Sequence, residues 1–213
     1  MNCQNKMMER AEAKRKIGIL GGTFNPIHNG HLQIAQQAKD YLALDEMFLM
    51  PSGNSYMKKS SEILSGELRS HLITLAIKEY AGLYLSKMEI ERPGNTYTCD
   101  TLRLLHEKHP MTEFYFVMGE DSLLSMMKWK EPETIFRLCI VVVAVRGDKS
   151  KSVLQEQIIN LKKRYSGKIV LLPGEWIPIS SSDIRNGIQH GKDVADMMPP
   201  AVYDYIRKHH LYE

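Results

Sequence analysis

The chain has 213 residues, 43% of them hydrophobic, and its 28 Lys and Arg against 25 Asp and Glu leave a formal charge of +3. That length supports one core of good size with at most a small appendage, and so even a charge balance argues against nucleic acid as a partner and for small molecules. The three cysteines, Cys3, Cys99 and Cys139, are far apart and fit neither a disulfide framework nor a zinc ribbon.

Met1 to Lys16 is polar and charged and lacks the apolar centre of a signal peptide. It reads as a flexible extension over residues 1–15, followed by a single domain over 16–213. No later stretch is apolar for long enough to cross a bilayer, so the expected location is the cytoplasm, with no membrane partner. Ile17–Leu20 is the first strand. It enters Gly21 and Gly22, which lack a Cβ and so permit a tight turn and the close approach of a ligand. Apolar residues at helical spacing follow, Leu32, Ile34, Ala35, Ala38 and Leu42, and predict a helix over Gly30–Leu44. Asn29 is the expected N-cap. That sets His28 and His31 at the first turn, where unpaired N–H groups and the helix dipole favour an anion. Three positions apart, the two imidazoles point to one side and can share the oxygens of a phosphate.

Other readings compete for this block. A dinucleotide loop needs Gly-x-Gly-x-x-Gly, a spacing absent here. A metal pair on a helix usually spaces its histidines four apart and needs a third ligand, for which no nearby residue offers itself. A plain glycine-rich turn with two solvated histidines is the third reading, and the position between a strand and a helix weighs against it.

Further strands are expected at Met47–Met50, Leu83–Ile90, Phe114–Met118, Cys139–Val145 and Ile169–Leu172, with Cys139 in the core. They alternate with helices at Gly66–Tyr80, Thr98–His109, Lys151–Tyr165, Ser181–His190 and Pro200–His209. This alternation predicts an α/β fold with a doubly wound, Rossmann-like, mainly parallel sheet and a small C-terminal helical portion. Such sheets bind ligands at the carboxyl ends of their strands, and Pro51–Glu62 and Arg146–Lys151 are the chief irregular segments there. Ser180 to Ser182 precede an amphipathic stretch from Ile184, so they can cap a helix and offer hydroxyls and amides to phosphate. Arg185, one turn in, supplies a forked cation to the same oxygens. An ordinary serine-capped surface helix is the competing reading.

The block Gly21-Gly22-Thr23-Phe24-Asn25-Pro26-Ile27-His28-Asn29-Gly30-His31 resembles the signature of the nucleotidyltransferase superfamily related to class I aminoacyl-tRNA synthetases. Ile179-Ser180-Ser181-Ser182-Asp183-Ile184-Arg185 is similar to that family's Ile-Ser-Ser-Thr-x-Ile-Arg. The resemblance implies that His28 and His31 bind the triphosphate of ATP or CTP and stabilise the transition state for nucleotidyl transfer. Gly119-Glu120-Asp121-Ser122-Leu123-Leu124 with Trp129 looks like the Gly-x-Asp-Ser-Leu…Trp block of bacterial nicotinate mononucleotide adenylyltransferases. Asn95-Thr96-Tyr97-Thr98-Cys99-Asp100-Thr101-Leu102 resembles their Ser-Tyr-Thr-x-x-Thr-Leu block. An aromatic face suits a flat pyridine, and a hydroxyl with helix-start amides suits its carboxylate. Taken singly, Tyr97 and Trp129 read as core packing; beside the nucleotide motifs they read as ring platforms.

The resemblance runs from about Lys16 to Leu211-Tyr212, with departures. The family's Pro-x-x-x-Pro-Pro-His-Lys is here Pro51-Ser52-Gly53-Asn54-Ser55-Tyr56-Met57-Lys58, which keeps the lysine and loses two prolines and the histidine. Asn25 stands where Asp is usual, and Arg146-Gly147-Asp148 replaces Arg-Pro-Gly. The residues the resemblance assigns to catalysis are His28, His31, Lys58 and Arg185. ATP falls to Gly21, Gly22, Thr23, Phe24, Asn25, Gly119, Asp121, Arg146, Ile179, Ser180 and Ser181, and nicotinate mononucleotide to Ser52, Tyr97, Thr98 and Trp129.

The implied reaction joins ATP and nicotinate mononucleotide to give nicotinate adenine dinucleotide and pyrophosphate, in NAD biosynthesis. Mg²⁺ is expected on the ATP phosphates, since no dedicated carboxylate cage appears. Transfer to nicotinamide mononucleotide is the nearest alternative, followed by transfer to phosphopantetheine and by a nucleotide-binding regulator without turnover. No motif speaks to an oligomeric state.

Overall fold

A computed structural model describes residues 14–53, 63–145 and 151–213. The sheet has six parallel strands, β1 (Arg15–Gly22), β2 (Glu46–Pro51), β3 (Leu83–Leu85), β4 (Thr112–Gly119), β5 (Ile140–Ala144) and β6 (Ile169–Leu172), in the order β3-β2-β1-β4-β5-β6. The helices are α1 (Asn29–Tyr41), α2 (Gly66–Ala76), α3 (Thr98–Lys108), α4 (Glu120–Ser125), α5 (Pro132–Leu138), α6 (Lys151–Arg164), α7 (Ser181–Gln189) and α8 (Pro200–Lys208).

Period-2 alternation along the strands builds a separate core on each face of the sheet. Tyr115 and Val117 of β4 with Val142 and Ala144 of β5 meet Leu32, Ala35 and Ala38 of α1, Leu72 and Ile73 of α2, Ile184 of α7 and Val202 of α8. Phe114, Phe116 and Met118 of β4 with Val141 and Val143 of β5 meet Leu102 and Leu105 of α3, Leu123 of α4, Ile135 of α5 and Leu154 of α6. Strands buried on both faces read as nearly unbroken apolar runs, and β5 is IVVVA. This is the doubly wound, Rossmann-like arrangement expected. The order of strands reverses at β1, so the crevice between the carboxyl ends of β1 and β4 is the place a ligand should enter.

Three expectations need correction. The strand foreseen at Leu83–Ile90 stops at Leu85. Ser86 still donates its N–H to Leu49 O, but Glu91 N closes back on Lys87 O, so the apolar alternation continues in a turn rather than along the sheet. Two short helices, α4 and α5, were not foreseen. Asn29 does not cap α1. The cap position belongs to His28, extended at φ −150°, while the Asn29 amide donates to Asp196 O at 2.9 Å. β1 also begins at Arg15, the last residue of the expected extension; residues 1–13 lie outside the described residues, as do Lys58 and Arg146.

Candidate active site

Six parallel strands deliver three loops to one rim. β1 ends in Gly21 and Gly22, β2 in Pro51 and Ser52, and β4 in Gly119. Between them and the start of α3 lies a cavity of about 170 Å³, walled by Gly21, Gly22, Thr23, Ser52, Thr96, Tyr97, Thr98, Phe116 and Trp129, among others. Trp129 and Phe116 meet edge to face, with ring centroids 6.3 Å apart, and the Trp129 indole N–H donates to Ser125 Oγ at 3.3 Å. The first turn of α3 opens into the same space, so its N–H groups give the cavity a positive end. Lys130, also on the wall, sets its ammonium 4.5 Å from the centre of the Tyr97 ring and 2.9 Å from the Asp100 carboxylate. The cavity is therefore an aromatic slot with a cationic mouth.

Beside it, the loop from Thr23 to His28 leads into α1. Phe24 takes a positive φ of 48° and turns its ring into the core, edge-on to His31 at 4.8 Å. What Phe24 offers a ligand is backbone. The His28 and His31 rings stack at 3.7 Å with planes 27° apart, so both imidazoles share one direction as their spacing requires. Gly30 makes this possible. A Cβ there would sit 3.2 Å from the His28 ring and 3.4 Å from Ile177 O. The glycine between the histidines thus clears room for the first of them.

The second motif reaches the first directly. Ser180 caps α7, its hydroxyl accepting Asp183 N–H at 3.1 Å, and Ile179 is buried just ahead of it. Ser181 donates its hydroxyl to Pro26 O at 2.8 Å, and Arg185 donates Nη1 to Asn25 O at 2.8 Å across 160 residues of sequence. Arg185 and the histidine loop are one assembly. Asn25 is itself buried, its Oδ1 accepting from Leu64 N–H at 3.1 Å and from the Tyr212 hydroxyl at 2.9 Å. Asp121 stands in the first turn of α4, exposed, with Gly119 as that helix's N-cap on the same rim.

Several residues of the site carried no motif. Arg69, only 4% exposed, donates Nε to Leu64 O at 3.0 Å, Nη1 to Thr23 O at 2.8 Å and Nη2 to Ser52 O at 2.7 Å. It fastens the loops after β1 and β2 to α2, and burial lowers its pKa from the ordinary arginine value. Its signal was a charge on the apolar face of α2, in step with Leu72, Ile73 and Ala76. Glu89 lines the aromatic cavity and accepts the Thr101 hydroxyl at 2.8 Å. Burial raises its pKa, against hydrogen bonds from Thr101, Thr96 and the Gly53 backbone and the nearby Arg92 charge. No sequence pattern marked it. Among the described residues, the one cluster with metal-ligand geometry is Cys99, Asp100 and Glu131, whose carboxylates are held in ion pairs by Arg103 and Lys130. No helix among the described residues is long and apolar enough to cross a membrane.

Comparison with known proteins shows the family and the fold. A cytidylyltransferase-like family model matches residues 19–187. A "Probable nicotinate-nucleotide adenylyltransferase" of Lachnoclostridium phytofermentans is 41% identical over 198 residues, covering 93% of this chain and 99% of the relative. One of the same name from Dehalococcoides mccartyi is 40% identical over 92% of this chain and 97% of its own length. Among solved structures, a Plasmodium falciparum nicotinic acid mononucleotide adenylyltransferase complexed with NaAD superposes with a TM-score of 0.75 at 23% identity, over 93% of this chain and 97% of that one.

Proposed function

The chain belongs to the cytidylyltransferase-like family, and from that premise we propose that it is a nicotinate-nucleotide adenylyltransferase: it joins ATP to nicotinate mononucleotide, forming nicotinate adenine dinucleotide and pyrophosphate for NAD biosynthesis. The observation that carries this reading is the joining of two distant motifs beside an aromatic slot, with Arg185 on Asn25 O and the His28 and His31 rings stacked at 3.7 Å.

In the reaction a 5′-phosphate oxygen of nicotinate mononucleotide forms a bond to the α-phosphorus of ATP, and the bond from that phosphorus to the bridging oxygen breaks, releasing pyrophosphate. A phosphate monoester with a second pKa near ~6 is already largely a dianion at neutral pH, so no strong base is needed. The difficulty is to bring two polyanions together, and positioning with matched donors and cations answers it. His28, His31 and Arg185 do this at the triphosphate, with Gly21, Gly22, Thr23, Ser180 and Ser181 as the surrounding cradle. Asp121 and Gly119 are assigned to the ribose, Lys58 to the phosphates and Arg146 to the adenine on resemblance alone. Mg²⁺ would be held by the nucleotide's phosphate oxygens and would supply further charge neutralisation there, while the Cys99–Asp100–Glu131 cluster is engaged by Arg103 and Lys130.

The pyridine enters the cavity walled by Tyr97, Phe116 and Trp129. A cavity of 170 Å³ suits one flat ring, given that an apolar cavity of about 150 Å³ takes benzene. The first turn of α3 favours an acid over an amide at the ring's substituent, because only the acid gains from a positive helix end. The test is kcat/KM for nicotinate mononucleotide and for nicotinamide mononucleotide, each with ATP and Mg²⁺, read as pyrophosphate release. Preference for the acid is expected. Preference for the amide reassigns the acceptor, and ATP binding without pyrophosphate release overturns the enzyme in favour of a regulator.

A further inference from the structure

After α8, Leu211 N–H returns to Ile206 O at 3.1 Å, and both His210 and Tyr212 adopt positive φ, 50° and 69°. A left-handed backbone at a bulky aromatic residue is unfavourable and persists only where surrounding structure over-determines it; such outliers gather at functional sites. Here the turn drives Tyr212 inward to the Thr23–His28 loop, where its hydroxyl donates to Asn25 Oδ1 at 2.9 Å. Burial pushes the Tyr212 phenol above the ordinary tyrosine range, with the charges of Arg185 and Arg69 opposing, so it remains a donor at neutral pH.

The loop it reaches is held carbonyl by carbonyl from far away. Thr23 O is taken by Arg69, Asn25 O by Arg185 and Pro26 O by Ser181. A backbone carbonyl fixes its own peptide plane but not the side chain beside it. Tyr212 supplies that constraint at Asn25, sharing its Oδ1 with Leu64 N–H. We infer that Tyr212 is a positioning residue for adenylyl transfer: through Asn25 it sets the loop that presents His28 and offers its carbonyl to Arg185. This rests on the proposed reaction and adds to it a residue argued to act through Asn25.

The test is Tyr212→Phe, which keeps the ring and removes the donor, in the full chain. Pyrophosphate release should show kcat lower by about five-fold, the equivalent of one neutral hydrogen bond, with KM for nicotinate mononucleotide unchanged. In the substrate-free protein, backbone amides of residues 23–32 should exchange with deuterium faster. In an Asn25→Ala background the same substitution should cost nothing more, because the pair acts as a unit. Wild-type kcat and unaltered exchange in Tyr212→Phe overturn the inference. So does a loss that multiplies with that of Asn25→Ala, or one that merely tracks the fraction folded. If Tyr212→Phe does not fold, Asn25→Ala keeps the phenol and removes its acceptor, and unaltered exchange over 23–32 there refutes the link. A wild-type protein that releases no pyrophosphate defeats the reaction instead, and exchange then decides the positioning role alone.

Discussion

Replacing Arg69 by Met should both destabilise the protein and open the acceptor slot. The guanidinium is 4% exposed and bonded to Leu64 O, Thr23 O and Ser52 O at 3.0, 2.8 and 2.7 Å. Hydrogen bonds from a charged donor are worth about 1.5–3 kcal/mol each, and the arginine's own desolvation cancels part of their sum. Met fills similar length but leaves three carbonyls without their donors. A net loss of roughly 3–5 kcal/mol is expected, as for other broken buried charge networks. For a chain of this size each kcal/mol moves Tm by about 2–4 °C, so Tm should fall by roughly 6–20 °C. Arg69→Lys keeps the charge but cannot reach three diverging carbonyls from one ammonium, and should lose about half as much. Because Thr23 and Ser52 both wall the cavity, KM for nicotinate mononucleotide should rise in the folded fraction of either variant. Urea unfolding with a parallel KM measurement checks both effects. A Met variant within about 1 kcal/mol of wild type would refute the argument that Arg69 fastens these loops.

His31→Ala should lower kcat by roughly 10²–10³-fold, the usual cost of one donor aimed at developing charge, while the Kd for ATP measured by titration calorimetry changes far less. Near-normal kcat removes His31 from catalysis. Trp129→Ala should raise KM for nicotinate mononucleotide about five-fold or more and leave KM for ATP nearly unchanged, since the lost ring contact is worth ~1–3 kcal/mol; equal effects on both substrates would move the ring platform elsewhere. A Cβ at Gly53 would overlap the backbone carbonyl of Glu89 and crowd the Thr96 methyl. Gly53→Ala should therefore destabilise by at least ~1–3 kcal/mol, read by urea unfolding, and a neutral result would contradict the contact. Glu89 has a folded pKa raised by burial, so the folded state holds its proton more tightly than the unfolded chain does. Its contribution to stability is then greatest below the ordinary glutamate value and falls as pH rises through the raised one. Stability measured against Glu89→Gln should tilt toward the wild type as pH is lowered from neutral; a flat difference would mean the carboxylate is solvated.

What the sequence discloses are the two motifs. His-x-Gly-His and the serine run before Arg185 have fixed chemistry at fixed spacing, so each was legible as a candidate phosphate site, and Arg185 meeting Asn25 O brings the two motifs together. Long apolar runs were equally plain, because strands covered on both faces have little choice of composition. Failures fall where the physical signal is local or short. Leu83 to Ile90 alternates like a strand, yet its pairing ends at Leu85, and just past Ser86 the chain turns back on itself through Glu91 N–H to Lys87 O. Helices α4 and α5, of 6 and 7 residues, are too short for a 3.6-residue period to repeat.

Of the residues that hold the site together, Arg185 and Ser181 were read from their motif while Arg69 and Tyr212 were not, and for Arg69 the reason is the nature of its partners. Arg69, Arg185 and Ser181 all bind backbone carbonyls of the Thr23–Pro26 loop, and every residue has a carbonyl, so nothing in the loop's sequence announces who holds it. Only a charge out of place betrays such a residue, as Arg69 does on the apolar face of α2. Tyr212 lacks even that, since a tyrosine beyond a helix end looks like any other surface ring. The chemistry of the cradle is thus written in a few adjacent residues, while its rigidity is distributed over α2, α7 and the segment after α8. A substitution after α8, which reaches the loop only through the Asn25 side chain, should therefore change how fast the cradle works more than what it binds, whereas Arg69 also holds two walls of the acceptor cavity.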